Sequence, residues 1–491
     1  MLPLSADTKA RLMKQAADDM AQGRLVKARS ALQQLALADP KRADIPYQLS
    51  RIAFELGDRE TCLAELRKAV KLAPGNPQLT RHAAERFRHL GASEEALAAY
   101  DRLIAAPGNS LGAQADKAHY LQHLGRFDEA ETIFRKLLKQ HPKEAQLYRI
   151  FLGGKTLAKG DPLVPEMEKL WARKDLPEPA CIQLGYALGK ALDETGQPEK
   201  GFACVARANA LQRKAAPFDN AAQDREFATV RAAQDDLSAL HAPASEPALT
   251  PRPVFVTGMP RSGTTLVERI LAAHSDVSAG NELGLALKLA YGIFGAGEQM
   301  RPITDAAKLE AFARRYTTLA RRDVPGDSPV ITDKSILSYL IIGLLHRALP
   351  QARFVVVQRD PRDIALSIYK NYFNTGSHRY GNDLADIAHA IKRFRGFVAH
   401  WKQALPGVVH EIRYEALVAD PEPQSRALIA AAGLDWQDAC LDFHKNTSGA
   451  VKTLSVSQAR QPIYTGSAQA WRKHERELQP FIEAWGDEPW D

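Results

Sequence analysis

Gly23, Gly57, Gly91 and Gly125 recur every 34 residues near the start of this chain. A phase of that length marks one supersecondary unit that cannot bury its apolar face alone, so copies must stack. Five residues after each glycine stands a small residue, Ala28, Cys62, Ala96 and Ala130; seventeen after it comes Pro40, Pro74 or Pro142, with Pro107 one place early. The glycine suits the left-handed end of one helix, the small side chain a close helix crossing, and the proline the stop of a second helix. The spacing therefore predicts stacked helical hairpins. Gly160 and Gly196 continue the rhythm at 35 and 36 residues, and the stretches 184–193 and 202–209 read as one further hairpin.

At 491 residues the chain exceeds what one hydrophobic core usually supports, so at least two domains are expected. We place a helical-repeat domain at 1–214, a helical segment and proline-rich linker at 215–250, and a second domain at 251–491. No stretch of the sequence is long and apolar enough to span a membrane, and the N-terminus lacks the basic-then-apolar pattern of a leader, which predicts a soluble cytoplasmic protein. Cys62, Cys181, Cys204 and Cys440 are far apart, without the close pairs of a zinc site or redox dithiol, and are expected as buried thiols. The net charge of +7 suits a protein that handles polyanionic ligands. No basic-aromatic ladder or zinc-finger spacing points to nucleic acid.

The second domain opens on a β-prone run, Val254–Thr257, followed by Gly258-Met259-Pro260-Arg261-Ser262-Gly263-Thr264-Thr265 and a helical pattern in Leu266, Val267, Ile270 and Leu271. Strand, glycine-bearing loop and helix make an anion nest, with backbone N–H groups and the two threonine hydroxyls as donors. Gly258 and Gly263 have the spacing of a nucleoside-triphosphate loop, but Thr264 stands where that loop needs its lysine, which argues against an ATPase or GTPase. Arg261 inside the nest can hold a phosphate or sulfonate. Arg359 follows the apolar run 353–357, and Lys334 follows 330–333; both are expected at C-terminal strand ends, where open α/β sheets bind ligands. Ser367 falls in the helix after Arg359. Glu282 follows a polar turn at the start of a helix, where a carboxylate can serve as a cap. His274, His346 and His410 are scattered and read as structural.

The repeats, in Glu55-Leu56-Gly57-Asp58 and Leu124-Gly125-Arg126-Phe127-Asp128-Glu129-Ala130, resemble tetratricopeptide repeats. Residues 255–266 resemble the 5'-phosphosulfate loop of sulfotransferases, and His274-Ser275-Asp276-Val277 with Gly280-Asn281-Glu282-Leu283 is similar to the protein-tyrosine sulfotransferase branch. Val355–Asp363 with Ser367 resembles that family's 3'-phosphate element, and 412–417 a third shared element. The likeness covers about 252–480, and the whole chain is similar to bacterial tetratricopeptide-repeat sulfotransferases. The resemblance implies an α/β P-loop-like sulfotransferase domain with a central, mainly parallel sheet, preceded by an all-α tetratricopeptide-repeat solenoid.

It further implies sulfonate transfer from 3'-phosphoadenylyl sulfate (PAPS) to a hydroxyl acceptor, with adenosine 3',5'-bisphosphate as product and no metal required. Pro260, Arg261, Ser262, Gly263, Thr264, Thr265, Arg359, Ser367, Tyr414 and Arg460 are then the cofactor-binding residues. Glu282 is the base, Lys334 and Arg261 stabilise charge on the leaving and transferring groups, and Ser455 assists. The family's lysine before the tryptophan is replaced by Ala470 ahead of Trp471. A peptide tyrosine, recruited through the repeats, leads as acceptor over a glycan or a small phenol or alcohol; the repeats could instead form a homodimer or a plain scaffold. A nucleotide-dependent phosphotransferase and a non-catalytic repeat scaffold are the other classes.

Overall fold

The computed structural model describes residues 4–108, 110–237, 249–445, 463 and 468–491. The chain forms two compact units, one made of residues 1–117 with 315–327 and the other of 118–314 with 328–491.

The first unit is built of helical hairpins: α1 (Ala6–Ala21) with α2 (Leu25–Ala38), α3 (Asp44–Leu56) with α4 (Arg59–Leu72), and α5 (Pro77–His89) with α6 (Ser93–Ala105). The phased glycines stand at the turns with φ of 71°, 85°, 71° and 80° at Gly23, Gly57, Gly91 and Gly125, a conformation that costs other residues strain. The phased small residues Ala28, Cys62 and Ala96 are fully buried, as the close crossings require. Asp58 and Asn76 cap their helices by accepting from the Thr61 and Leu79 amides, worth about 1 kcal/mol each.

Residues 315–327 belong to the same unit. Arg322, 4% exposed, lays its guanidinium 3.6 Å over the Phe54 ring and donates to the Phe54 carbonyl at 2.9 Å. Its neighbour Asp323 meets His89 at 3.0 Å, and Arg59 donates to the Arg322 carbonyl at 3.1 Å. The hairpins thus hold a piece of their own chain.

The second unit begins within α7 (Ser110–His123) and continues with α8 (Phe127–Gln140), α9 (Ala145–Gly153), α10 (Leu163–Trp171), α11 (Glu178–Glu194), α12 (Pro198–Ala215) and α13 (Asn220–Ala232). α11 and α12 pack without room for side chains: a Cβ on Gly189 would stand 2.8 Å from the Gly201 carbonyl oxygen. Five parallel strands follow, β1 (Arg252–Gly258), β2 (Val277–Ser278), β3 (Val330–Asp333), β4 (Arg353–Gln358) and β5 (Val409–Arg413), in the order β2-β3-β1-β4-β5. Between and after them lie α14 (Thr264–Leu271), α15 (Leu285–Phe294), α16 (Ala306–Asp323), α17 (Ile342–Ala348), α18 (Pro361–Tyr369), α19 (Leu384–Ala404), α20 (Tyr414–Ala419), α21 (Pro421–Ala431) and α22 (Gln479–Trp485). Val254, Val256, Val355 and Val357 turn into one core with α14 and α21, while Phe255 stacks on Phe354 across the β1–β4 pair at 5.5 Å. Apolar side chains on both faces make these strands continuous hydrophobic runs rather than alternating ones. The architecture is the expected one, a tetratricopeptide-like all-α region followed by an α/β domain with a parallel sheet.

The α11–α12 hairpin is bound into that α/β domain. The Asn209 amide donates to the Tyr369 carbonyl at 2.9 Å, and Gln212 donates to the Tyr186 hydroxyl at 2.8 Å and to Asn382 at 3.2 Å. Phe202 stacks on Tyr369 at 5.3 Å, Arg149 lies 4.2 Å from the Tyr372 ring, and Asp193 pairs with Lys370 and His474. Asn209 and Gln212 are each 1% exposed, so neither has water as an alternative to these partners. Replacing Asn209 by Leu is therefore expected to destabilise the protein by about 1–3 kcal/mol in urea unfolding, the scale for a stranded buried polar group. A fragment spanning 242–491 is expected to show no cooperative melting transition.

Candidate active site

The chain leaves β1 at Gly258, turns through Met259–Ser262 and enters α14 at Thr264. Arg261 takes φ 70° although it carries a side chain, and Gly263 takes φ 105°. A Cβ on Gly263 would stand 2.5 Å from the Tyr414 ring, so only glycine lets the turn close against β5's end. Pro260, Ser262, Thr264 and Thr265 are buried, and the Ser262 hydroxyl has no hydrogen-bond partner among the described residues. An orphaned buried hydroxyl at a helix N-terminus suits an incoming anion.

The residues singled out for phosphate meet here from three strand ends. Arg261 Nε donates to Ser367 Oγ on α18 at 2.9 Å, and Arg359 donates to the Arg261 carbonyl at 3.0 Å. The Arg359 guanidinium lies 4.4 Å over the Tyr414 ring and 3.7 Å from Asp363. Glu415 accepts the Asp360 amide at 2.9 Å, which fixes the loop that carries Arg359. The Asp363 carboxyl, 1% exposed, takes the backbone N–H groups of Gln469 and Trp471 at 2.8 and 3.0 Å. Burial raises its pKa against the pull of Arg359 and those two amides.

The second cluster stands at the end of β3. Lys334, 1% exposed, donates to Glu282 Oε1 at 2.8 Å, while the Glu282 side chain is 49% exposed and its Oε2 carries no partner among the described residues. A carboxylate with one oxygen held and the other open can take a proton from a hydroxyl brought to it. His378, with φ 45°, stands in the field of Glu282; burial lowers its pKa and the Glu282 charge opposes that. Glu282 sits in the turn before α15 and does not cap a helix by a side-chain bond, since α15 has Gly284 at its cap.

Sequence reasoning passed over Glu268, Asp363, Glu415 and His378. Glu268 carried a signal: three residues before Leu271 and four after Thr264, it falls on the face of α14 that the apolar residues bury, where a lone carboxylate is costly. Asp363, Glu415 and His378 act through partners distant in sequence. Ser455 and Arg460 lie outside the described residues. Cys62, Cys181, Cys204 and Cys440 are buried free thiols. Among the described residues no cluster of His, Cys, Asp and Glu has the arrangement of a metal site.

Residues 253–438 match the sulfotransferase family model, and residues 19–84 and 118–144 match tetratricopeptide-repeat models. Over 391 residues the chain is 28% identical to an uncharacterized protein of Aquifex aeolicus, covering 76% of this chain and 50% of that protein. It is 26% identical over 223 residues to protein-tyrosine sulfotransferase 1 of Danio rerio, covering 42% of this chain and 60% of that one. The aligned part thus spans half to three fifths of these relatives. The solved sulfotransferase domain of the Synechococcus PCC 7002 olefin synthase aligns at 19% identity with a TM-score of 0.35, over 51% of this chain and 99% of that one. The chain carries a sulfotransferase-family domain and tetratricopeptide repeats, and is distantly related to protein-tyrosine sulfotransferases.

Replacing Gly263 by Ala combines a left-handed backbone with a collision on Tyr414, so it is expected to weaken binding of adenosine 3',5'-bisphosphate by about tenfold or more in calorimetry, the equivalent of 1.4 kcal/mol. Gly292→Ala, in α15 with open space around it, is expected to leave that binding unchanged.

Proposed function

We propose that this protein transfers a sulfonate group from 3'-phosphoadenylyl sulfate to a hydroxyl acceptor. The observation that carries the reading is the meeting of Arg261, Arg359, Ser367 and Tyr414 around a phosphate-type loop that has Thr264 where nucleotide hydrolases have lysine. When bound, 3'-phosphoadenylyl sulfate supplies the transferable sulfonate and leaves as adenosine 3',5'-bisphosphate. The residues suit it: the orphaned Ser262 hydroxyl, the amides at the start of α14 and Arg261 fit the 5'-phosphosulfate end, and Arg359 with Ser367 fits a second, separate phosphate. That second phosphate distinguishes this donor from an ordinary adenine nucleotide.

Glu282 takes the proton of the acceptor hydroxyl on its open oxygen. Lys334, buried beside it, keeps a fixed positive charge where negative charge develops on the leaving oxygen. The low exposure of Lys334 strengthens that interaction because little water screens it. The acceptor we favour is a peptide tyrosine, on the strength of the relatives that bear the name protein-tyrosine sulfotransferase. A repeat array is suited to present a polypeptide, since stacked hairpins offer an extended surface.

Two measurements test this. Adenosine 3',5'-bisphosphate is expected to bind at least about tenfold tighter than AMP, and Arg359→Ala to remove most of that preference, since a charge-assisted phosphate contact contributes about 1.5–3 kcal/mol. Equal binding of the two nucleotides to the unaltered protein overturns the assignment of the second phosphate site. Glu282→Gln is expected to keep nucleotide affinity and lose about 100-fold or more in turnover on a tyrosine peptide, the usual scale for a general base. Turnover within about threefold of the unaltered protein would make another group the base.

A further inference from the structure

Glu268 is a carboxylate on the buried face of α14, 2% exposed, one helical turn beyond the phosphate loop. Burying such a group costs several kcal/mol unless hydrogen bonds and charge compensate. Its hydrogen bonds among the described residues come from the strand and turn that carry the proposed acid–base pair. Glu268 Oε1 accepts the Asn281 backbone N–H at 2.8 Å and the Thr332 hydroxyl at 2.8 Å. The same hydroxyl oxygen accepts the Gly280 N–H at 3.1 Å, so one carboxylate oxygen anchors two successive amides of the turn, one directly and one through Thr332.

The rest of the turn is laid along β3 by Lys334 N–H to the Asn281 carbonyl at 3.0 Å and by Gly284 N–H to the Ser335 hydroxyl at 3.1 Å. Asn281 itself has φ 55°, a left-handed conformation that a residue with a side chain holds only when its surroundings impose it. Glu282 is the next residue. Its contact with Lys334 therefore depends on a backbone conformation that Glu268 helps to impose.

We propose that Glu268 is the positioning residue of the active site, whose buried carboxylate, by accepting the Asn281 amide and the Thr332 hydroxyl, sets the 280–284 turn so that Glu282 reaches Lys334. The proposal rests on the reading of Glu282 as the base. Burial raises the proton affinity of Glu268; Lys334 opposes this most, followed by the Thr332 and Asn281 hydrogen bonds, while Glu282 adds to it. Arg269, next on the helix, feels the same carboxylate. α14 thereby serves both halves of the site, with its first turn in the phosphate loop and its second under the base.

Two substitutions in the full-length protein separate positioning from general stability. Glu268→Gln keeps an oxygen that can accept both hydrogen bonds; Glu268→Ala removes it. Hydrogen exchange on the peptide covering 279–285 reads the turn whatever the acceptor. Protection there is expected to fall by about tenfold or more in Glu268→Ala and to stay within about threefold of the unaltered protein in Glu268→Gln, the scale of one or two lost buried hydrogen bonds. On a tyrosine peptide, Glu268→Ala is expected to lower kcat by about tenfold or more with the Kd of adenosine 3',5'-bisphosphate within about threefold, and Gln to restore kcat.

Thr332→Val, which removes one donor without stranding a charge, is expected to give a smaller loss in the same direction and serves if Glu268→Ala does not fold. Unchanged protection of 279–285 in both Glu268→Ala and Thr332→Val overturns the proposal, as does a loss in Glu268→Gln as deep as in Glu268→Ala. Full turnover by Glu282→Gln overturns the base instead. An inactive Glu282→Gln beside a fully active Glu268→Ala overturns the positioning role alone.

Discussion

The turn from β1 into α14 decides where everything else in the α/β domain can stand. Arg261 and Gly263 both take left-handed conformations there, Gly263 against the Tyr414 ring, and a turn of that kind aims its backbone N–H groups at the anion of the proposed donor. β1 is the middle strand of β2-β3-β1-β4-β5: the chain fills the β3 side of it first, with β2 and β3, and then crosses to the other side with β4 and β5. Such a switch in strand order, at the C-terminal ends of parallel strands, is where open α/β sheets bind their ligands. The Arg359 cluster reaches it from β4 and the Lys334 cluster from β3. Neither could be moved to another strand end without losing its partner on α14 or its loop.

The division of labour proposed for these two clusters draws on their difference in exposure. Around Arg359 the charges are packed among themselves, with Tyr414 beneath and Asp363 behind, so the guanidinium is held where an anion can compete for it. At Glu282 one oxygen is fixed and the other is open, which is what a group that must accept a proton needs. Asp363 ties the first cluster to the C-terminal segment at Gln469 and Trp471, where Arg362 also lies 4.0 Å over the Trp471 ring. The region in which the family's lysine is replaced by Ala470 is thus anchored by backbone amides, which any residue supplies.

The hairpins were legible in the sequence because their requirements are local. A left-handed turn needs glycine, a close crossing needs a small side chain, and both recur at a fixed interval, as the buried Ala28, Cys62 and Ala96 illustrate. The sheet was legible for a similar reason, since strands covered on both faces read as unbroken apolar runs. Glu268 was not, because a carboxylate on the buried face breaks the apolar pattern that reveals the helix. The placement of 315–327 among the first hairpins was equally hidden: Arg322 and Phe54 are separated by 268 positions, and a polar helix end carries no sign of what will cover it. Asn209 and Gln212 look like surface residues of an amphipathic helix until their partners, Tyr369 and Asn382, are brought to them.

That last point bears on where the sulfotransferase-family domain begins. The match to the sulfotransferase family starts at 253, but the compact unit that holds all of it except 315–327 starts at 118. The difference lies in the bonds made by α11 and α12. Tyr369 ends α18, the helix that carries Ser367, and the loop that follows runs through Lys370, Tyr372, Thr375 and His378 to Asn382; each of these except His378 meets a residue of α9, α11 or α12. His378 in turn stands in the field of Glu282. The loop beside the proposed base is therefore held from one side by α18 and from the other by a repeat hairpin. A family boundary marks where sequence similarity ends, whereas a folding boundary marks where buried polar groups find their partners. Here the second lies well inside the repeats, so the last hairpin is part of the scaffold of the proposed site as much as of the helical array.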